Sequence, residues 1–310
     1  MIDIVVTYVY ERDKKWAQNF HYYKEREILE HKTTRDNRQA FGIERTREWD
    51  TFKYWFRGIE NNCPWINKVF LIVQNENHIP KWLNKNHSKL RIVYHDEYIP
   101  KELLPTFNAM TIGMYVSNIK DLSENYIMSD DDFYFLSPLK EDHFFKNNKP
   151  VHLKNEIKYE PYYTGNSDGV FFEILNHDLE FEYELTGQKI KYGIYHLPEA
   201  RKKSFEQDIL KNHADEIKEC FIKSKFRNKF NLCHTVYSDL LKINNIVEWG
   251  NPYENSCYCT LKSNVNFNLY WNKDIVCFND TELLDDYQAT KNKFIEFLQN
   301  KFPNKSSYEV

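Results

Sequence analysis

The chain has 310 residues, enough for one large or two ordinary domains. Hydrophobic residues make up 41% and aromatic residues 16%, ample for a sizeable core, while only 8 glycines and 10 prolines speak against disorder or a repeat array. A formal net charge of −4 excludes the strongly basic balance of a non-specific nucleic-acid binder.

Residues 2–10, Ile2-Asp3-Ile4-Val5-Val6-Thr7-Tyr8-Val9-Tyr10, are β-branched and apolar and predict a central strand. Residues 11–38 are polar and charged and read as a helix or an ordered loop. Thr46 is placed to cap a helix running to about Asn62, with Trp49, Phe52, Phe56 and Ile59 on its buried face. Arg45, Arg47, Lys53 and Arg57 give this region a basic edge, equally suited to a solvated face or to phosphate contact. Residues 68–73 and 90–95 predict two further strands, and 108–119 a helix.

The strand that follows, Asn125-Tyr126-Ile127-Met128-Ser129-Asp130, runs straight into Asp131 and Asp132 and then the aromatic Phe133-Tyr134-Phe135. Crowded like charges raise one another's pKa. A cation relieves that repulsion, and in open α/β sheets ligands bind just past the carboxyl ends of strands. The same triplet also suits a solvated acidic turn. Strands and helices alternate at βαβ spacing, so a largely parallel sheet flanked by helices is expected.

Residues 146–195 are less regular and rich in Tyr, Glu and Asn, and read as an insertion facing a second substrate. His196-Leu197-Pro198 is read as opening a helical region with Phe205, Ile209, Ile217 and Phe221 on its apolar face. Another helix follows Lys225-Phe226-Arg227 and runs to about Ile243. Strands are expected at 245–249, 265–271 and 274–280, then a last helix to Phe302. The six cysteines, at 63, 220, 233, 257, 259 and 277, form no CxxC pair and predict free thiols. No signal-peptide pattern and no apolar run of ~20 residues is present, so a cytoplasmic protein is expected.

On these residues the chain resembles the Stealth family of sugar-1-phosphate transferases, which includes bacterial capsule polymerases and the lysosomal-enzyme N-acetylglucosamine-1-phosphotransferase. The first family region resembles residues 2–7 with Asp13 and Trp16. The second resembles Arg47-Glu48-Trp49-Asp50, Tyr54-Trp55-Phe56-Arg57, Cys63-Pro64-Trp65, Pro80-Lys81-Trp82-Leu83-Asn84, His95, Leu104-Pro105-Thr106-Phe107-Asn108, Leu122-Ser123-Glu124 and Asp131-Asp132. The third resembles His196-Leu197-Pro198 with Phe226-Arg227. The fourth resembles Cys277-Phe278-Asn279-Asp280 and the ending Phe302 to Glu309.

The resemblance implies a Rossmann-like or GT-A-like nucleotide-sugar transferase core. The whole of 1–310 would form one catalytic domain: 1–145 for nucleotide-sugar and metal, 146–195 as the acceptor-side insertion, 196–310 completing the core. It implies transfer of a sugar 1-phosphate from a UDP-sugar to a glycan hydroxyl, with release of UMP. Asp131 and Asp132, with Asp130, would hold Mg²⁺ or Mn²⁺. His196 would be the base, Arg227 the phosphate clamp, and Asp132 and Asp280 further catalytic groups. Asp3, Thr7, Arg47, Arg57, Asn108 and Asn279 would contact substrate. The implied partners are the nucleotide-sugar donor and a polysaccharide or lipid-linked acceptor, at the inner face of the membrane, with no nucleic acid.

Three departures stand out. Tyr8-Val9-Tyr10-Glu11 replaces the family's Trp-Val-Asp-Gly, Asp130 replaces an Asn, and Gly113 replaces a Glu expected near the metal, for which Asp130 or Glu11 would stand in. A metal-dependent glycosyltransferase releasing UDP, and a non-catalytic sugar-nucleotide binder, stand as alternatives.

Overall fold

The computed structural model of the protein describes residues 1–35, 37–165 and 169–310. Its main sheet is built from β1 (Ile2–Thr7), β2 (Val69–Val73), β3 (Leu90–Tyr94), β4 (Asn125–Asp130) and a later strand at its edge. α1 (Lys14–Leu29) and α2 (Phe52–Asn62) lie between β1 and β2, and α3 (Ala109–Met114) precedes β4. β5 (Phe133–Phe135) follows the acidic turn. α4 (Gly169–Thr186) comes next, then the edge strand β6 (Glu199–Lys202), α5 (Lys203–Asn212), α6 (Ala214–Ile222) and α7 (Val236–Ile243). β7 (Cys257–Thr260), β8 (Ile275–Asn279) and α8 (Tyr287–Lys301) complete the chain.

The strand order is β6-β4-β1-β2-β3, with every pair parallel except β6 against β4. This is an α/β, Rossmann-like sheet, as the alternation of strands and helices predicts. The chain leaves β1 towards β2 on one side and returns at β4 on the other, so the topology switches between β1 and β4. Their register pairs Thr7 with Asp130, which puts both carboxyl ends at the crevice where such sheets bind ligands.

Alternation along the strands serves two cores. Ile4 and Val6 join Val69, Leu71, Trp55 and Phe56 on one face. Val5 joins Phe70, Ile72, Val93, Tyr126 and Met128 on the other. Sheets buried on both faces read as continuous hydrophobic runs, and that is what residues 4–6 and 69–73 show. Each fully buried large side chain contributes about 1.5–3 kcal/mol.

A second, three-stranded sheet orders β7-β8-β5, with β8 antiparallel to β5 and parallel to β7. It carries the end of β8 beside the acidic turn, where the Phe278 N–H donates to the Asp132 carbonyl at 2.9 Å.

Several expectations are corrected. The helix expected from Thr46 begins at Phe52. Residues 47–50 form a loop in which the Glu48 side chain accepts from the Asp50 N–H at 2.7 Å and Asp50 has φ +57°. Residues 146–195 hold α4, whose Ile174, Leu175 and Phe181 join the second core. His196 to Pro198 leads into β6 rather than into a helix. Residues 267–270 form a 3₁₀ turn, started by the Asn266 side chain accepting from the Asn268 N–H at 3.2 Å, not a strand. All six cysteines are free thiols, and among the described residues no helix is long and apolar enough to cross a membrane.

Candidate active site

A cleft of two connected lobes opens over the carboxyl ends of β1 and β4. The narrow lobe, about 280 Å³, reaches over the ends of β1, β2 and β3 and is walled by Tyr8, Gln74, His78, His95, Phe107 and Asp132, among others. The wide lobe, about 650 Å³, extends towards α4 and β7. Thr7, Arg45, Asp130, His196, Arg227 and Asn279 line both and so stand at the junction.

The acids hold their position because β4 ends where β5 begins, leaving Asp131 and Asp132 in the turn between two sheets. The Thr7 hydroxyl donates to Asp130 at 3.4 Å. Burial, then Asp132, Asp130 and Glu48, push the Asp131 carboxyl well above its usual range. Burial and Asp130 push Asp132 up to about 7. One Asp132 oxygen accepts from the Cys277 thiol at 3.5 Å, and the other is buried with no partner.

Asp132, His196 and Cys277 bring one donor atom each to within 4.8 Å of one another. The orphaned Asp132 oxygen and the unneutralised acids beside it fit a divalent cation. Burial and Asp132 hold Cys277 well above the usual thiol range, so it stays protonated and orients Asp132 instead of offering a thiolate. The oxygen donors of Asp130, Asp131 and Asp132 in the narrow lobe suit Mg²⁺ or Mn²⁺.

Opposite the acids stand two guanidinium groups. Arg227 donates to Gln39 at 3.1 Å. Neither Arg227 nor Arg45 forms an ion pair with a carboxylate among the described residues. Burial and Arg45 pull the Arg227 pKa down to about 9, so it remains cationic at neutral pH. His196 is open to the cleft, its ring edge-on to Phe133 at 4.9 Å. Partial desolvation by the cleft walls lowers its pKa, Asp130 opposes, and Arg227 and Arg45 lower it further, favouring a neutral imidazole.

The structure therefore brings His196, Arg227, Asp130, Asp131, Asp132, Thr7 and Asn279 to one cleft. Asp280 is present but occupied: Arg47 and the Trp49 indole N–H (3.0 Å) engage its carboxylate, which also accepts from the Thr281 N–H at 2.7 Å. Arg47 and Asp280 thus form a fixed pair at the rim, with Arg47 over the Tyr287 ring.

Three residues expected to contact substrate are elsewhere. Asp3 lies at the other end of β1, fully buried, accepting from Asn67 (2.8 Å), the Lys68 N–H (3.1 Å) and the Ser123 N–H (2.7 Å). Arg57 is buried in a bidentate pair with Glu309 at 2.7 and 2.8 Å. Asn108 caps α3 and donates to the Phe226 carbonyl and to Asn231; it fixes the loop before Arg227 without lining either lobe.

The departures find local accounts. The Tyr8 hydroxyl donates to Glu48, and its ring stacks on Phe52 at 4.5 Å. Glu11 accepts from the Glu48 N–H at 3.1 Å, bracing the loop rather than joining the acids. A Cβ at position 113 would lie 2.3 Å from the His234 ring, so His234 fills the space that a longer side chain would take. Sequence reasoning left Arg45 out of the site; its only signal was membership of the basic edge.

Residues 45–153 match the family region described as Stealth protein CR2, conserved region 2. A capsular polysaccharide phosphotransferase WcwK of Streptococcus pneumoniae is 32% identical, covering 99% of this chain and 98% of that one. The receptor polysaccharide phosphotransferase WefC of Streptococcus gordonii is 29% identical, covering 100% and 99%. Galactosyltransferase LgtC, solved in complex with donor and acceptor sugar analogs, aligns at a TM-score of 0.43 with 9% identity over 98% of each chain. The chain belongs to the Stealth family.

Proposed function

We propose that this phosphotransferase moves a sugar 1-phosphate from a nucleoside-diphosphate sugar, a UDP-hexose or UDP-N-acetylhexosamine, to a hydroxyl of an acceptor glycan in capsular or cell-surface polysaccharide synthesis. The observation that carries this reading is the pair Arg45 and Arg227, two cations without carboxylate partners among the described residues, facing Asp130, Asp131 and Asp132 across the junction of the lobes. Cations and acids held apart in this way match a diphosphate with a divalent ion.

The narrow lobe at the ends of β1, β2 and β3 takes the nucleotide, and the junction takes the diphosphate. A bound divalent ion supplies neutralisation of the diphosphate charge, and Asp132, Asp130 and Asp131 are the groups that would hold it. His196 accepts the proton of the acceptor hydroxyl, whose oxygen bonds to the sugar-bearing phosphorus. The bond from that phosphorus to the bridging oxygen breaks, and the bridging oxygen leaves with UMP. Arg227 and Arg45 hold the phosphoryl oxygens through this exchange. The whole of 1–310 serves as one catalytic unit, working at the inner face of the membrane.

Incubation with UDP-sugars and acceptor glycan, with the nucleotides separated by chromatography, tests the reaction. UMP release with phosphorus entering the glycan is expected. UDP release with a phosphorus-free product would establish a glycosyltransferase instead, and donor binding without turnover a sugar-nucleotide binder.

A further inference from the structure

On the α4 side of the wide lobe two acids lack the partners that burial demands. Asp178 and Glu182 lie four residues apart on α4 and so share a face. Asp178 is 4% exposed and Glu182 2%. Asp178 accepts one bond, from the Cys233 N–H at 2.8 Å, and its other oxygen is buried with no partner. The Glu182 carboxylate makes no hydrogen bond or ion pair among the described residues. The neighbouring acid, Asp239, is already engaged by Lys242 at 2.5 Å. Buried acceptors left unmade cost free energy, and a ligand carrying O–H donors removes that cost.

A divalent cation does not fit here. Among the described residues, the only group of three potential ligands within 4.8 Å is Asp132, His196 and Cys277. The same lobe offers an aromatic surface instead. Tyr195, next to the candidate base, is 44% exposed and stacks on Tyr253 with centroids 5.4 Å apart and planes 17° from parallel. Tyr253 is tied by its hydroxyl to the Pro198 carbonyl at 3.2 Å. An exposed ring on a fixed support, with buried hydrogen-bond acceptors in the same cavity, suits a hydroxylated ring that is apolar on its faces and donating at its edges.

We propose that this part of the wide lobe is the acceptor subsite, in which a neutral, hydroxyl-rich glycan lies against Tyr195 and donates hydroxyl hydrogens to Glu182 and Asp178. The assignment rests on the transfer reading of the same cleft. It places the acceptor on the far side of His196 from the nucleotide, because these acids line only the wide lobe.

Saturation-transfer NMR on the full chain, without donor, tests it. The probes are the methyl glycosides of glucose, galactose, rhamnose and N-acetylglucosamine, with methyl glucosaminide as the amine control. At least one neutral glycoside is expected to bind, and Glu182→Leu is expected to weaken it ~3–10-fold, as loss of a hydrogen-bond acceptor does. Burial and the neighbouring acids Asp239 and Asp178 hold the Glu182 carboxyl above its usual range, so the bond lost is that of a neutral acid. UMP binding should stay within about twofold of the wild type. The melting temperature should hold or rise, since a buried polar group without a partner gives way to an apolar one. Asp178→Asn provides the second variant.

No binding by any neutral glycoside, unchanged binding in both variants, or binding by the amine alone would overturn the proposal. A melting temperature lowered by several degrees in both variants, with glycoside affinity intact, would make the acids structural. No turnover enters the measurement, so finding UDP in place of UMP would sink the transfer reading and leave this result standing.

Discussion

Arg45 and Arg227 line the same cleft and repel each other, and a fold keeps such a pair when an anion belongs between them. Loss of a guanidinium at a phosphoryl centre costs ~10³ or more in rate. Arg227→Lys should not restore activity, because an ammonium keeps the charge but not the fork that grips two oxygens. Arg45→Ala should weaken donor binding while the melting temperature holds or rises. His196→Ala should lower kcat by ~10²–10⁴ and leave donor Kd nearly unchanged, since the neutral imidazole acts on the acceptor. Measuring kcat, donor Kd and melting temperature for the three variants checks this; near-normal kcat with a lowered melting temperature would make these residues structural. His196 and Arg227 were legible in the sequence through their motifs. Arg45 was not, because Arg45, Arg47, Lys53 and Arg57 look alike as a basic run. Only the fold separates them, giving Arg47 to Asp280 and Arg57 to Glu309 and leaving Arg45 facing the cleft.

At the scale of elements, periodicity found β1, β2 and β4, whose two faces are buried, and the partly buried β3, but not the edge strand β6. It failed where side chains replace backbone order. Trp49 keeps helical spacing with Phe52 and Phe56 yet packs from a loop onto Tyr287 and Phe294. β7 was missed because Cys257 to Thr260 carries little apolar signal and pairs through β8. The junction of β6 and α5 shows a polar core that no pattern announces. Arg201, fully buried, bonds Glu199 and the His234 ring at 2.8 Å each and lies 3.6 Å from Glu206, which accepts from the Tyr126 hydroxyl at 2.5 Å.

Burial pushes Glu206 up to about 7 from its ordinary 4.5, against the pull of Arg201. Between those values the folded state holds a proton that the unfolded state has lost, so stability falls as pH rises from about 4.5 through about 7 and then levels. Glu206→Gln should flatten that slope and gain relative stability above pH 7. Urea midpoints at pH 5 and pH 8 measure it, and an unchanged wild-type-minus-variant difference between the two would contradict it.

Across the whole molecule, the last residues of the chain fasten the first half of the fold. The Val310 N–H donates to the Trp82 carbonyl at 2.9 Å and the Asn84 N–H to the Tyr308 carbonyl at 2.8 Å, while the Tyr308 ring packs on Phe56 at 5.1 Å. Beneath them Arg57 binds Glu309 twice and the Phe302 carbonyl at 2.7 Å, and the two side chains are 5% and 4% exposed. The family's second and fourth regions, 252 residues apart at this pair, meet here and away from the cleft. The motif was visible in the sequence, but a motif arginine reads the same whether it holds a phosphate or a carboxylate of its own chain. Breaking a buried pair from one side leaves an uncompensated charge and costs about 3–5 kcal/mol. Glu309→Ala should therefore lower the melting temperature by roughly ten degrees in a domain of this size. The double variant Arg57→Met with Glu309→Leu should recover most of that loss, because a buried pair replaced by apolar groups of similar volume is often neutral. In both, kcat and donor KM measured well below the transition should match the wild type. Arg57 would return to the donor site if Arg57→Met alone raised donor KM sharply with the melting temperature unmoved.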